Sequence, residues 1–253
     1  MNEVLWTPPA SFRETTQLGL FWTWLEQQLE EELPDYRALH RWSIDHKETF
    51  WQYIWQYCEV VGDKGSDRVL TDDTFQQRRW FPDAKLNYAE NLLRRRDETP
   101  ALIDIAESGE RRELSHAELY QQAGAFARAL LDAGIQPGDR VAAWLPNRME
   151  TMIAALGTAW IGATWSSCSP DFGVQGVMDR FGQIEPRVLL VTDSYLYGGK
   201  CHDLTDKVEQ VANSLAPGTL IRIPGPADKV LTSAIDWQQW LSTKPAPDFR
   251  RLP

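Results

Sequence analysis

Gly138-Asp-Arg-Val-Ala-Ala-Trp-Leu-Pro146, then Met149 to Ile161, then Gly162-Ala-Thr-Trp-Ser166 is the run of residues that decides the fold. Arg140 to Leu145 is an apolar, β-type segment entered through the turn pair Pro137-Gly138 and stopped by Pro146, which has no backbone donor and restricts Leu145. It reads as a buried strand. Across Met149 to Ile161, the side chains Met149, Ile153, Leu156 and Trp160 fall near one helical face, and Gly162 stands where a helix C-cap belongs. Ala163 to Ser166 is extended again, Val174, Val177, Met178, Phe181 and Ile184 form a second apolar stripe, and Arg187 to Thr192 is a third apolar run. The unit is βαβαβ. It predicts an α/β fold, a parallel sheet with flanking helices and right-handed crossovers, whose ligands sit at the carboxyl ends of the strands. Those ends are Pro146-Asn147, Ser167 to Gly173, and Asp193 to Lys200.

Working outward, Ala101 to Ile105 and Arg111 to Leu114 read as a β-hairpin turned at Ser108-Gly109. Ser115 and Glu118 form a capping box for a helix with Leu119, Ala123, Phe126 and Leu130 on its buried face and Gly134 at its end. Downstream, Leu204, Val208, Val211 and Leu215 share a helical face, Leu220 to Ile223 is a further strand, and Asp236 is placed to cap a short helix bearing Trp237, Trp240 and Leu241. Lys244 to Asp248 is extended and polar. Upstream, Leu18, Phe21, Trp22, Leu25 and Leu29 make one amphipathic helix closed by Pro34. Asp45 with Glu48 predicts a capping box for a second, lined by Trp51, Ile54, Trp55, Cys58 and Val61 and ended by Gly62. Asn87 with Glu90 predicts another helix running through Arg94, Arg95 and Arg96. Asp63 to Asp83 is polar and turn-rich and reads as a linker, so residues 1–83 are expected to form a helical lobe with its linker and residues 84–253 an α/β domain.

The chain has 253 residues, 43% of them hydrophobic, enough to fill a core. A formal net charge of −10 argues against a nucleic-acid surface, which needs Lys and Arg in excess. Cys58, Cys168 and Cys201 have no paired spacing, so neither a disulfide framework nor a zinc site is expected, and a reducing cytoplasm fits best. No basic-then-apolar leader opens at Met1, and no apolar run reaches the roughly 20 residues that span a bilayer. Six of the twelve tryptophans fall within the first 55 residues. They suit a stacking platform, or, as the helical spacing of Trp22, Trp51 and Trp55 favours, packing residues of a helical lobe.

Few residues carry chemistry. Metal, nucleophile and nucleotide signatures such as His-Glu-x-x-His, Gly-x-Ser-x-Gly and Gly-x-x-x-x-Gly-Lys-Ser/Thr are absent from the sequence. His40, His46 and His116 read as exposed helical residues, and Cys168 as a small buried hydrophobe with no base beside it. Arg94 to Arg96 read as a solvated helix end rather than a phosphate patch. Gly198-Gly199-Lys200 has paired glycines that let a backbone approach an anion and a point charge just before a helix N-terminus. From the sequence alone the favoured reading is a strand-to-helix turn with a solvated lysine. Ser166 to Gly173 has small polar side chains that leave room for a thin ligand, and Ser169 or Asp171 is placed to cap the next helix.

Gly138-Asp-Arg-Val-Ala142, Ile161-Gly-Ala163 and Tyr197-Gly-Gly-Lys200 resemble the adenylate-forming acid–CoA ligases. Trp80 to Leu93 resembles the segment that opens their main domain in the branch activating acetate and acetoacetate. Asn87-Tyr-Ala-Glu-Asn91 and Leu5-Trp-Thr-Pro8 are most similar to the acetoacetate-activating members. The resemblance runs from Trp6 to about Pro224. It implies an incomplete AMP-binding domain over 84–253 and a complete enzyme that uses ATP and Mg²⁺ to form an acyl-adenylate and then transfers the acyl group to coenzyme A. The phosphate-gripping loop, acyl pocket and catalytic Lys of that enzyme are expected in a missing C-terminal part, so no catalytic residue and no metal ligand is expected here, and this chain alone is expected to be inactive. Lys200 and Gly199 are implied contacts to a coenzyme A phosphate, with Tyr197 where relatives carry an arginine. Asp171, Phe172 and Gly173 are implied walls of the pantetheine tunnel. Expected partners are small molecules, acetoacetate or a similar short acid and coenzyme A, with no nucleic acid and no membrane. The other class of function open to such a chain is a non-catalytic docking module on the same fold.

Overall fold

The computed structural model describes residues 5–244 and 246–253. Met1, where no leader is expected, and Pro245 of the polar stretch 244–248 lie outside them. The chain divides into two compact units, one ending at Ala84 and the other comprising Lys85–Leu252.

The first unit carries α1 (Phe12–Thr15), α2 (Gln17–Leu29), α3 (Tyr36–Asp45), α4 (Lys47–Tyr57) and the short extended piece β1 (Gly62–Asp63). Phe21, Trp22, Leu25, Leu33, Leu39 and Trp42 form its core, and the Trp22 indole N–H donates to the Leu33 carbonyl at 3.1 Å. Several expectations need correction here. Helix α2 stops at Leu29 because Glu30 turns left-handed at φ 52, ahead of Pro34. Asp45 does not open a helix: it ends α3, a helix that Asp35 caps by accepting from Ala38 N–H at 2.8 Å. The N-cap of α4 is His46, with no side-chain cap bond, and α4 ends at Tyr57, before Val61 and Gly62. Of the tryptophans at helical spacing, Trp22 is buried, whereas Trp51 is exposed against Trp80 and Trp55 leans on Phe81. The segment read as a linker folds back on itself: Leu70 bridges Trp80, Phe81 N–H donates to Val69 O at 2.7 Å, and Val69 and Leu70 are buried.

The second unit begins with β2 (Lys85–Leu86) and α5 (Tyr88–Leu92). Asn87 caps α5 by accepting from Glu90 N–H, but Glu90 turns its own carboxylate to Arg251 at 2.7 Å rather than completing a box. The helix stops before the arginines. Arg95 pairs with Asp97 and Arg96 lies 3.8 Å over the Tyr120 ring, so the expected basic helix end does not form. The hairpin β3 (Pro100–Ile105) and β4 (Arg111–Ser115) follows, then α6 (His116–Asp132), opened by the predicted Ser115–Glu118 capping box. Ser115→Ala is expected to cost about 1 kcal/mol in a denaturant melt, because it orphans the Glu118 amide.

The predicted strands then appear as β5 (Arg140–Trp144), β6 (Thr164–Cys168), β7 (Val188–Thr192) and β10 (Thr219–Ile223), with β11 (Ile235–Asp236) at one edge. Among the described residues they form one sheet, ordered β11-β10-β7-β5-β6 and parallel at each pairing. Alternation along each strand sorts side chains to two faces. Val141, Ala143, Val188, Leu190 and Ile221 pack with α6 and α7 (Met149–Trp160). Ala142, Trp144, Leu189 and Val191 pack with α8 (Val174–Phe181) and α9 (Thr205–Leu215). Both faces are covered, so the strands read as continuous apolar runs. A last turn of helix, α10 (Trp237–Trp240), follows Asp236, whose carboxylate bonds Arg222 at 2.7 Å instead of capping it.

Candidate functional site

The carboxyl ends of β5, β6, β7 and β10 open on one edge of the sheet, and the loops there are held by side chains rather than left loose. Trp144, the last residue of β5, is fully buried and donates its indole N–H to Ser169 O at 3.1 Å, which pins the loop after β6. Within that loop, Ser169 Oγ meets Asp171 Oδ2 at 3.1 Å. Neither residue caps α8, as had been expected. Gly173 is the N-cap and no side chain bonds the free amides, so the small loop stays open above the helix. Phe172 lies under the Arg180 guanidinium, 4.0 Å from its ring centre. Burial pushes the Cys168 thiol up to about 11, with Arg180 opposing it, so at neutral pH it is a protonated, weakly reactive group.

Gly198-Gly199-Lys200 is not a strand-to-helix turn. Ser194–Tyr197 and Lys200–Asp203 are strands β8 and β9 of an antiparallel hairpin, turned at Gly198 and Gly199 with φ of 59° and 73°, a left-handed pair that glycine adopts without strain. Helix α9 begins only at Thr205, so Lys200 has no helix N-terminus beside it. The register places Tyr195, Tyr197, Lys200 and His202 on one face of the hairpin and Leu196 and Cys201 on the other. Tyr195 stacks on His202 with ring centres 5.0 Å apart. Burial first, and then the neighbouring Asp171 carboxylate, raises the Tyr195 phenol above its usual range. Asp171 is thus near enough to Tyr195 to act on its phenol, and Tyr195 lies in β8 of the hairpin that carries Gly199 and Lys200. Phe172 and Gly173 stand beside Asp171 in the same loop.

Three residues that matter here were not named from sequence. Tyr195 is one. Another is Glu107, in the β3–β4 turn, whose carboxylate accepts from the Gly199 N–H at 2.5 Å. The third is Arg148, which donates to Pro224 O at 2.6 Å and pairs with Glu150 at 3.2 Å. These surround a cleft of about 370 Å³ at the sheet edge, lined by Pro146 and Asn147 after β5, Tyr195 on the hairpin, Glu107 and Arg112 on the β3–β4 side, and Gly225 after β10. Gly225 is required there, since a Cβ would fall 2.1 Å from Ser194 O. Arg112 binds Glu150 at 2.8 Å and Asp104 at 2.5 Å. Burial alone would raise the Glu150 carboxyl, but Arg112 and Arg148 outweigh it and hold it below the ordinary glutamate range. Contacts of this kind join residues far apart in the chain, and no local periodicity announces them.

A family model described as AMP-binding enzyme matches residues 89–248, and one described as acetyl-coenzyme A synthetase N-terminus matches residues 36–92. The acetoacetyl-coenzyme A synthetase of Rhizobium meliloti (strain 1021) is 42% identical over 217 residues, covering 86% of this chain and 33% of that protein. The acetoacetyl-CoA synthetase of Xenopus tropicalis is 36% identical over 217 residues, covering 84% of this chain and 32% of its own length. The solved acetoacetyl-CoA synthetase from Streptomyces lividans superposes with a TM-score of 0.93 at 37% identity, covering 100% of this chain and 40% of that one. The chain therefore spans about a third of the length of the curated relatives it matches.

Proposed function

Because the chain belongs to the AMP-binding enzyme family, we propose that it supplies the coenzyme-A-facing part of an acid–CoA ligase whose acid is acetoacetate. In the complete enzyme, acetoacetate attacks the α-phosphate of ATP and pyrophosphate leaves. The thiol of coenzyme A then attacks the acyl-adenylate and AMP leaves. We assign no residue of this chain to ATP or to Mg²⁺. Its part is to hold coenzyme A: Lys200 and Gly199 take a phosphate at the hairpin turn, and the loop Asp171-Phe172-Gly173 guides the pantetheine arm. What supports this reading is the register that puts Lys200 on one hairpin face with Tyr195, whose phenol the Asp171 carboxylate influences. Residues 1–83 are the lobe that precedes the ligase domain of residues 84–253, and the enzyme works in the cytoplasm on small molecules.

Lys200 is exposed and its ammonium adds one charge-assisted contact. Lys200→Ala is expected to weaken coenzyme A binding about five- to thirtyfold, or 1 to 2 kcal/mol. In the full-length ligase it should raise the KM for coenzyme A and leave ATP–pyrophosphate exchange unchanged. An equal loss in both half-reactions would remove Lys200 from the coenzyme A site. A chain that serves only as a docking module would show no coenzyme A binding at all.

A further inference from the structure

The turn that presents Lys200 already holds an anion. Glu107 lies 92 residues away in sequence, at the tip of the β3–β4 hairpin, and its Oε1 accepts from the Gly199 amide. Two successive left-handed glycines leave that amide facing outward, clear of the strand ladder, which runs from Tyr197–Lys200 to Ser194–Asp203. A carboxylate bonded there sits beside the ammonium-bearing residue of the same turn. Glu107 also lines the cleft of about 370 Å³, which gives its side chain space to swing into when it leaves.

Resting on the reading of Gly199 and Lys200 as a coenzyme A phosphate contact, we propose that Glu107 is an internal competitor for that site. Its carboxylate fills the position that a phosphate oxygen takes, and the ligand binds only by displacing it. A competent turn is then the minor form of the free chain, and the apparent affinity is reduced by the fraction of time that Glu107 is bound. Two like charges cannot share one donor, so displacement rather than joint occupancy follows. The contact also explains why a glutamate at an exposed hairpin tip reaches across to a second hairpin instead of remaining in water.

The test is a titration of the ¹⁵N-labelled chain with coenzyme A, following the Gly199 amide shift in the wild type and in Glu107→Gln, Glu107→Ala and Lys200→Ala. Glutamine still accepts from the amide but carries no charge. Glu107→Gln and Glu107→Ala are both expected to bind coenzyme A about fivefold more tightly, the scale of one exposed charge interaction, while Lys200→Ala binds more weakly. If Lys200→Ala weakens binding but Glu107→Gln matches the wild type and Glu107→Ala loses affinity, Glu107 merely supports the turn and the proposal falls alone. If coenzyme A leaves the Gly199 amide unmoved in all four chains, the phosphate contact falls with it. Matching backbone spectra of the free variants establish that each is folded.

Discussion

Arg222→Leu is expected to destabilise the chain by about 3 to 5 kcal/mol, read as a shift of the urea midpoint. Arg222 sits on β10 with its side chain 5% exposed and bonds three carboxylates: Asp193, Asp236 and Asp228. Burial favours the uncharged guanidine, but the three carboxylates outweigh it and hold the group charged. The partners differ in what they lose. Asp228 is 79% exposed and Asp236 46%, so both recover water when Arg222 is removed, whereas Asp193 is 0% exposed and has no such recourse. Among the described residues the Asp193 carboxylate keeps Ser194 Oγ at 2.6 Å and the Gly225 N–H at 3.1 Å, too few partners for a buried charge. Asp228→Asn is accordingly expected to cost under about 1 kcal/mol. Equal losses for the two variants would show that the penalty does not come from stranding Asp193.

Incubated with ATP, Mg²⁺ and acetoacetate, the 253-residue chain by itself is expected to give no pyrophosphate exchange above a protein-free control. Adenylation needs the carboxylate held in line with the α-phosphate while positive charge and backbone donors meet the developing pentacoordinate centre. The glycine pair with a lysine at Gly198 to Lys200 is a two-residue hairpin turn, and its Gly199 amide is bonded to Glu107. It has neither the length nor the hydroxyl groups to wrap a triphosphate. Turnover that co-purifies with the chain through successive columns, free of any longer protein, would overturn this expectation.

Much of the α/β unit was legible because the two periodicities differ so plainly. Val141-Ala-Ala-Trp144 and Val188-Leu-Leu-Val191 are apolar without a break, as doubly covered strands must be, while Met149, Ile153, Leu156 and Trp160 repeat at helical spacing. The N-terminal helices were harder. The helix that Asp35 caps, with Leu39 and Trp42 on its buried side, was not recognised, and Asp45 with Glu48 marked the start of α4 one residue early, where the N-cap is His46. The hairpin at Gly198 was misread because an apolar run on one side and Val208 and Val211 on the other suggested strand, turn, helix. The short pair Tyr195-Leu196 and Cys201-His202 was hidden between them. Asp171, Gly198 and Gly199 were singled out in the sequence. Tyr195 and Glu107 were not, since what they do depends on neighbours brought in from other parts of the chain.

The strand order β11-β10-β7-β5-β6 bears on how such a sheet is made. β5 leaves the ribosome first and β6 joins one of its sides. β7 then takes the other side, β10 lies outside β7, and β11 lies outside β10. At every step the newest strand meets a partner that is already synthesised and adds to a free edge, so no finished pair has to open to admit a later arrival. β5 and β6 are joined through α7 alone, and β7 reaches its partner β5 once α7, β6 and α8 have followed, so the sheet's first loop to be closed is a short one. Vectorial synthesis can therefore build this sheet outward from its middle in the order in which the gene spells it.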